Sequence, residues 1–137
     1  MGSKGACGVS MPRVSALGLL ILVGVGGALG AVLRFTVVEV LARRARWPAW
    51  LSIALINVAG GGMIGFASQV TLATGMREFL VVGGFGGLTT FSTAMLDVVL
   101  LYRLGHRTTA FLLWIGTPVL ALVAWCMVVV LAGGDWR

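Results

Sequence analysis

The chain has 137 residues, of which 59% are hydrophobic and 10% charged, and its mean hydropathy is +1.06. Soluble domains carry about a quarter charged residues, so this chain lacks the polar surface to face water on every side. A soluble domain, a disulfide-stapled secreted module and a disordered tail are excluded. The formal charge of +6 does not amount to a nucleic-acid surface, and no nucleic-acid partner is expected. Its cations stand singly or in short loops between apolar runs, as membrane proteins place them. Cys7 and Cys126 form no framework; Cys126, in an apolar run, reads as a small packing residue.

The charges rule the chain into spans. Twenty uncharged residues separate Arg13 from Arg34, thirty separate Arg46 from Arg77, eighteen separate Glu78 from Asp97, and twenty-seven separate Arg107 from Asp135. About 20 apolar residues cross a bilayer core as a helix. The pattern predicts helices near 15–42, 50–74, 78–102 and 109–132 in one four-helix transmembrane domain over 13–137, with 1–12 a disordered lead-in. The first apolar stretch is too long for the h-region of a cleaved signal peptide. Met1-Gly2 leads to Ala6, where a myristoylation pattern needs Ser or Thr.

With four spans, Lys4, Arg13, Arg77 and Arg137 share one side, and Arg43, Arg44, Arg46, Arg103 and Arg107 share the other. Such a balance gives almost no orientation under the positive-inside rule. Either one or two residues dominate the orientation, or the chain inserts both ways and pairs antiparallel with itself or a near relative.

Glycine occurs 21 times. In the first two spans, Gly26-x-x-x-Gly30 and Gly61-x-x-x-Gly65 have the spacing that lets helix backbones approach closely. No GK[ST] follows any glycine, so a phosphate loop is excluded. The third span differs: Gly83-Gly84-Phe85-Gly86-Gly87-Leu88-Thr89-Thr90-Phe91-Ser92-Thr93 sets glycines and then hydroxyls near mid-depth. Glycine costs about 1 kcal/mol relative to Ala in a helix interior, so this run predicts a helix broken near its middle. Non-helical backbone at that depth lines a cavity or lies inside protein, where it offers carbonyls to cations and N–H groups to anions. The competing reading is a packed kink whose hydroxyls bond back to their own helix.

Few other polar groups lie in the spans. Asn57 supplies an amide able to meet an anion without adding charge, or to bond another helix. Arg34, late in the first span, either snorkels to the interface or holds a positive field near a vestibule. Phe91, Ala94 and Asp97 form one stripe of the third helix. Thr117-Pro118 marks a kink in the fourth span. Trp47, Trp50 and Trp136 stand where an aromatic belt belongs, and His106 is a loop residue. No metal-ligand cluster, carboxylate pair or nucleophile beside a base occurs, so an enzyme is not expected.

Three blocks resemble the CrcB/Fluc family of fluoride channels: Gly26-Gly27-Ala28-Leu29-Gly30-Ala31-Val32-Leu33-Arg34-Phe35, Asn57-Val58-Ala59-Gly60-Gly61-Gly62-Met63-Ile64-Gly65, and Gly83 through Thr93. The resemblance covers residues 17–132. It implies an all-α membrane protein of four-helix subunits in an antiparallel dimer, with fluoride permeating passively at subunit boundaries and lowering its toxicity in the cell. It further implies a structural sodium ion held by the carbonyls of Gly86 and Thr89 with their partner-chain equivalents. By position, Asn57, Arg34 and Phe91 match family pore residues, Ser92 and Thr93 continue the pore motif, and Asp97 falls where the family usually has a glutamate. Two departures stand out. Ala94 replaces the second pore phenylalanine, and the fourth span offers only Thr109 and Thr117 as polar wall. The chain is therefore expected to act in the cell membrane among lipid, as a homodimer or paired with a homologous subunit that supplies the missing groups. A small multidrug-resistance-type transporter would need an embedded glutamate midway along the first span, where the only acid is the late Glu39. A non-conducting assembly subunit would use its glycines for packing alone.

Overall fold

The computed structural model describes residues 15–133, and all regular structure among them is helical. The lead-in expected at 1–12, with Cys7 and Trp136, lies outside the described residues. Four stretches are long and apolar enough to cross a membrane: Ala16–Ala45, Ala49–Gln69, Thr74–Arg103 and Arg107–Leu131. Helix α1 (Ala16–Val40) starts at Ser15, whose hydroxyl accepts the N–H of Gly18 at 3.1 Å. That contact satisfies one of the unpaired amides of its first turn. The helix widens to π-helical winding over Leu41–Ala45 and stops at Arg46, whose φ of 55° is left-handed.

Helix α2 (Ala49–Gln69) follows Pro48, which opens it with a preset φ and no amide to leave unpaired. It ends at Gln69, five residues before the predicted boundary at Thr74. Val70 is extended, and the Ser68 hydroxyl caps the Gly65 carbonyl at 2.6 Å. The third span correspondingly begins at Thr74 rather than at 78, so the loop is 70–73. The apolar run could not show this shift, because Val70, Leu72 and Ala73 suit a helix end and a membrane-level loop equally.

The third span consists of two helices. The first, α3 (residues 74–88), is π-helical over Glu78–Phe85; the second, α4 (Phe91–Arg103), starts after two extended residues. Thr89 has φ −76° and ψ 154°, and Thr90 has φ −152° and ψ 127°. The expected break is present, displaced from the glycines to the threonines behind them. The last helix, α5 (Arg107–Leu131), continues through Pro118.

The glycines serve close approach. A Cβ at Gly26 would overlap the Phe79 carbonyl, and one at Gly30 would overlap that of Gly84. The N-terminal half of the third span therefore seats directly on the α1 backbone. On the opposite side, Gly61 and Gly65 face the backbone of Ala121 and Trp125, which draws α2 and α5 into the most extensive helix pair of the subunit. Here the spacing motifs have the packing role expected of them. The buried core is thin: Ile53, Ile56, Leu88, Leu113 and Val129 are its larger members, and long rows of Leu, Val and Phe on α1 and α5 face outward. In lipid this is the stable arrangement, because apolar side chains gain nothing by hiding from hydrocarbon.

Candidate functional site

A helix broken inside a bilayer leaves carbonyl and N–H groups that no water can satisfy, so the side chains around the break decide whether it can exist. Asn57, two turns into α2, meets it with both ends of its amide. Nδ2 donates to the Thr90 carbonyl at 2.8 Å, and Oδ1 accepts the Thr90 N–H at 2.8 Å. The side chain thus reproduces the pair of bonds that a neighbouring strand would give an extended residue. From α1, Arg34 directs Nη1 to the Thr89 carbonyl at 3.5 Å. Its guanidinium reaches into the subunit toward the break instead of snorkelling away.

The hydroxyl run divides by role. Thr89 Oγ1 donates back to the Phe85 carbonyl at 3.0 Å, the local bonding that the kink reading describes. Thr90 caps α4: its Oγ1 accepts the Thr93 N–H at 3.4 Å and donates to Thr93 Oγ1 at 3.2 Å. Ser92 is exposed, and its Oγ lies 3.4 Å from Thr90 Oγ1. Thr90 is therefore the pivot of the break, and sequence reasoning passed over it as a site residue. An N-cap threonine three residues before a hydroxyl and ahead of an apolar run is a local signal that could have identified it.

A cavity of about 410 Å³ opens at this point, its walls including Asn57, Thr90, Phe91, Ala94 and Thr117. The Asn57 amide spends one of its two N–H bonds on Thr90 and keeps the second. Thr117, from α5, is buried, and its hydroxyl makes no hydrogen bond among the described residues. Phe91 lines the cavity and is itself 74% exposed, whereas Ala94, one turn further on in the same wall, is 5% exposed. The structure thus brings Asn57, Phe91 and Thr117 to one cavity. Arg34 sits behind it at Thr89; Ser92 and Thr93 stand beside it on the first turn of α4. Asp97, two turns along α4, is not in its wall; its Oδ2 is buried with no hydrogen-bond partner among the described residues.

The carbonyls named for a cation fit that role in part. A continuous helix would give the Thr90 N–H to Gly86, but that N–H goes to Asn57, which leaves the Gly86 carbonyl with a single 3.4 Å contact from Thr89 Oγ1. The Thr89 carbonyl is shared with Arg34. Two backbone oxygens suit a hard cation but fall short of a full shell. No group of three or more His, Cys, Asp or Glu side chains able to hold a metal occurs among the described residues.

The sequence profile of the CrcB-like proteins (Camphor Resistance, CrcB) matches residues 21–133. Among relatives, a Campylobacter fetus protein named fluoride-specific ion channel FluC is 42% identical over 97 residues, which are 66% of this chain and 74% of that protein. A Parabacteroides distasonis protein of the same name is 36% identical over 104 residues, 73% of this chain and 81% of its own length. Rhodococcus jostii fluoride-specific ion channel FluC 1 is 36% identical over 119 residues, 86% of this chain and 84% of that one. The profile runs through all four spans and across the break where Asn57 holds Thr90, so the chain belongs to the CrcB-like family and is a multi-pass protein of the cell membrane.

Proposed function

We propose that the chain is the subunit of a passive, fluoride-selective channel that lets cytoplasmic fluoride leave down its electrochemical gradient. It is a channel and not an enzyme. The observation that carries this reading is the cavity at the helix break, whose largely apolar wall holds the Asn57 amide, threonine hydroxyls and the Phe91 ring and no charged side chain. Fluoride is small and tightly hydrated, so a pore must replace its water with dense donors. The free Asn57 N–H, the hydroxyls of Thr117, Ser92 and Thr93, and the positive edge of the Phe91 ring supply them. None of these fixes the anion by a full counter-charge, so the sites remain weak enough for the ion to leave. Arg34 adds positive field from behind the Thr89 carbonyl, and Asp97 marks the end of the path along α4.

Phe91 supports a dimer. A phenylalanine 74% exposed at the cavity forms a pore wall only if a second subunit closes over it. The near-even division of cations suits an antiparallel pair. With Ala94 small and turned inward, the chain brings one ring where two are expected, and the reading extends to pairing with a homologous subunit that supplies the other. A sodium ion at the Gly86 and Thr89 carbonyls would complete its shell from the partner's equivalents and pin the two breaks together. The transporter alternative loses its acid: Glu39 is tied to Arg43 at 2.5 Å on the end of α1.

Fluoride efflux from liposomes carrying the purified chain, measured against chloride, tests the proposal. Fluoride passage with chloride retained is expected, restored to full rate by co-reconstitution with a homologous subunit. Equal passage of both anions would remove the selective-pore reading, and full selective flux from the chain alone would remove the mixed pair.

A further inference from the structure

A second cavity, of about 570 Å³, lies away from the helix break, where α4 ends and α5 begins; Val99, Tyr102, Arg103, Arg107, Phe111 and Trp114 are among its walls. Its two ends differ in chemistry. Arg103 is in the last turn of α4 and Arg107 is the first residue of α5, so both guanidinium groups stand at the level where the spans leave the hydrocarbon. Both side chains are exposed, and neither forms an ion pair among the described residues, whose pairs are Arg43–Glu39 and Arg77–Glu78. The Arg107 guanidinium is held over the mouth by the Tyr102 ring, 5.4 Å from its centroid. Toward the membrane interior the floor is apolar and ordered, with Phe111 and Trp114 packed edge to face at 6.2 Å and 62°. Trp114 lies seven residues into α5, about 10 Å below Arg107 at the rise of an α-helix.

We propose that this groove binds one anionic phospholipid, its phosphate between Arg103 and Arg107 and its upper acyl chain along Phe111 and Trp114. Charge complementarity selects the occupant. Two unpaired cations at headgroup depth favour a lipid whose phosphate carries no cation of its own, and the apolar floor gives a chain-bearing ligand a surface that a free anion would leave empty. Planar guanidinium groups suit phosphate oxygens in pairs. The α4–α5 turn is three residues long, so a lipid clamped across it would tie the pore-bearing α4 to α5 at the membrane surface.

Native mass spectrometry of the detergent-released full chain, titrated with phosphatidylglycerol or phosphatidylcholine, tests the assignment. One retained phosphatidylglycerol is expected in preference to phosphatidylcholine. The R103Q/R107Q variant should bind it roughly thirtyfold more weakly, the loss of two interfacial arginines, while R44Q/R46Q on the same face keeps it. Equal retention of both lipids, equal loss in R44Q/R46Q, or displacement by millimolar inorganic phosphate would each overturn the proposal. Should R103Q/R107Q not fold, quenching of tryptophan fluorescence by brominated phosphatidylglycerol decides the matter on the otherwise native chain. The quenching should fall in W114F and exceed that by brominated phosphatidylcholine; a quench unchanged in W114F overturns the site.

Discussion

Asn57 and Thr90 close a ring of two hydrogen bonds, each 2.8 Å long, that joins α2 to the helix break. One side chain thereby answers both backbone groups of the residue that the break strands, and the same amide faces the cavity. In the channel proposed above, support of the fold and contact with the ion meet in this single group.

Replacing Asn57 by Ala is therefore expected to cost stability as well as flux. Each backbone group left unpaired costs about 1–3 kcal/mol, so N57A should melt well below the native chain in detergent. Asn57→Asp keeps one of the two bonds: its carboxylate still accepts the Thr90 N–H, but it offers no donor to the Thr90 carbonyl or to an anion and brings a charge into the bilayer. Its fluoride efflux should fall on the order of a hundredfold, the penalty of an intramembrane charge. Efflux retained in N57D would show that the amide donor is not used.

Thr90 makes a smaller and more local prediction. Its hydroxyl caps α4 through the Thr93 N–H, and losing an N-cap typically costs ~1 kcal/mol. T90A should therefore lower the melting temperature by a few degrees, and T90S should restore it because only the hydroxyl is needed. Thermal unfolding in detergent, monitored by circular dichroism, reads both variants.

The third span shows how far the sequence could be read. Its glycine run announces a departure from ordinary helix, and one is present, but the glycines themselves stay wound. Gly83 and Gly87 lie against Gly26 and Gly27 of α1, where an unwound backbone would leave polar groups facing apolar carbon. The helix opens two residues later, at the first point where a side chain from another helix takes the freed groups. Asn57 lies 33 residues away in the chain, so no local pattern could locate the opening. The four spans were legible because each rests on its own composition. The site's partners were not, since they depend on which helices touch.

The two kinds of glycine make a contrast that can be measured. Gly26 and Gly30 have carbonyl oxygens of α3 where a Cβ would go, whereas Gly24 and Gly116 have no atom within 4 Å of one. G26A and G30A should give little folded protein by size-exclusion chromatography. G24A and G116A should fold normally and gain up to ~1 kcal/mol from better helix propensity. Equal behaviour of the four variants would show that α1 and α3 pack less closely than described.

Gly60 offers a way to disturb the break without cutting any of its hydrogen bonds. A Cβ at Gly60 would overlap Cγ2 of Thr89 and little else. The colliding atom is the end of a side chain whose hydroxyl is anchored on the Phe85 carbonyl at 3.0 Å, so Thr89 cannot turn its methyl away without giving up that bond. G60A is therefore expected to fold, because α2 gains a better helix former, but to shift Thr89 and slow fluoride efflux by about tenfold, the effect of some 1.4 kcal/mol at the barrier. Thr89→Ser removes the methyl and keeps the hydroxyl. The double variant G60A/T89S should then recover most of the lost rate, although T89S alone gains nothing. Such a recovery couples the two residues through one contact, the signature a double-mutant cycle isolates. If G60A conducts as well as the native chain, or if T89S fails to rescue it, the position of Thr89 does not govern permeation, and the pore lies away from the break.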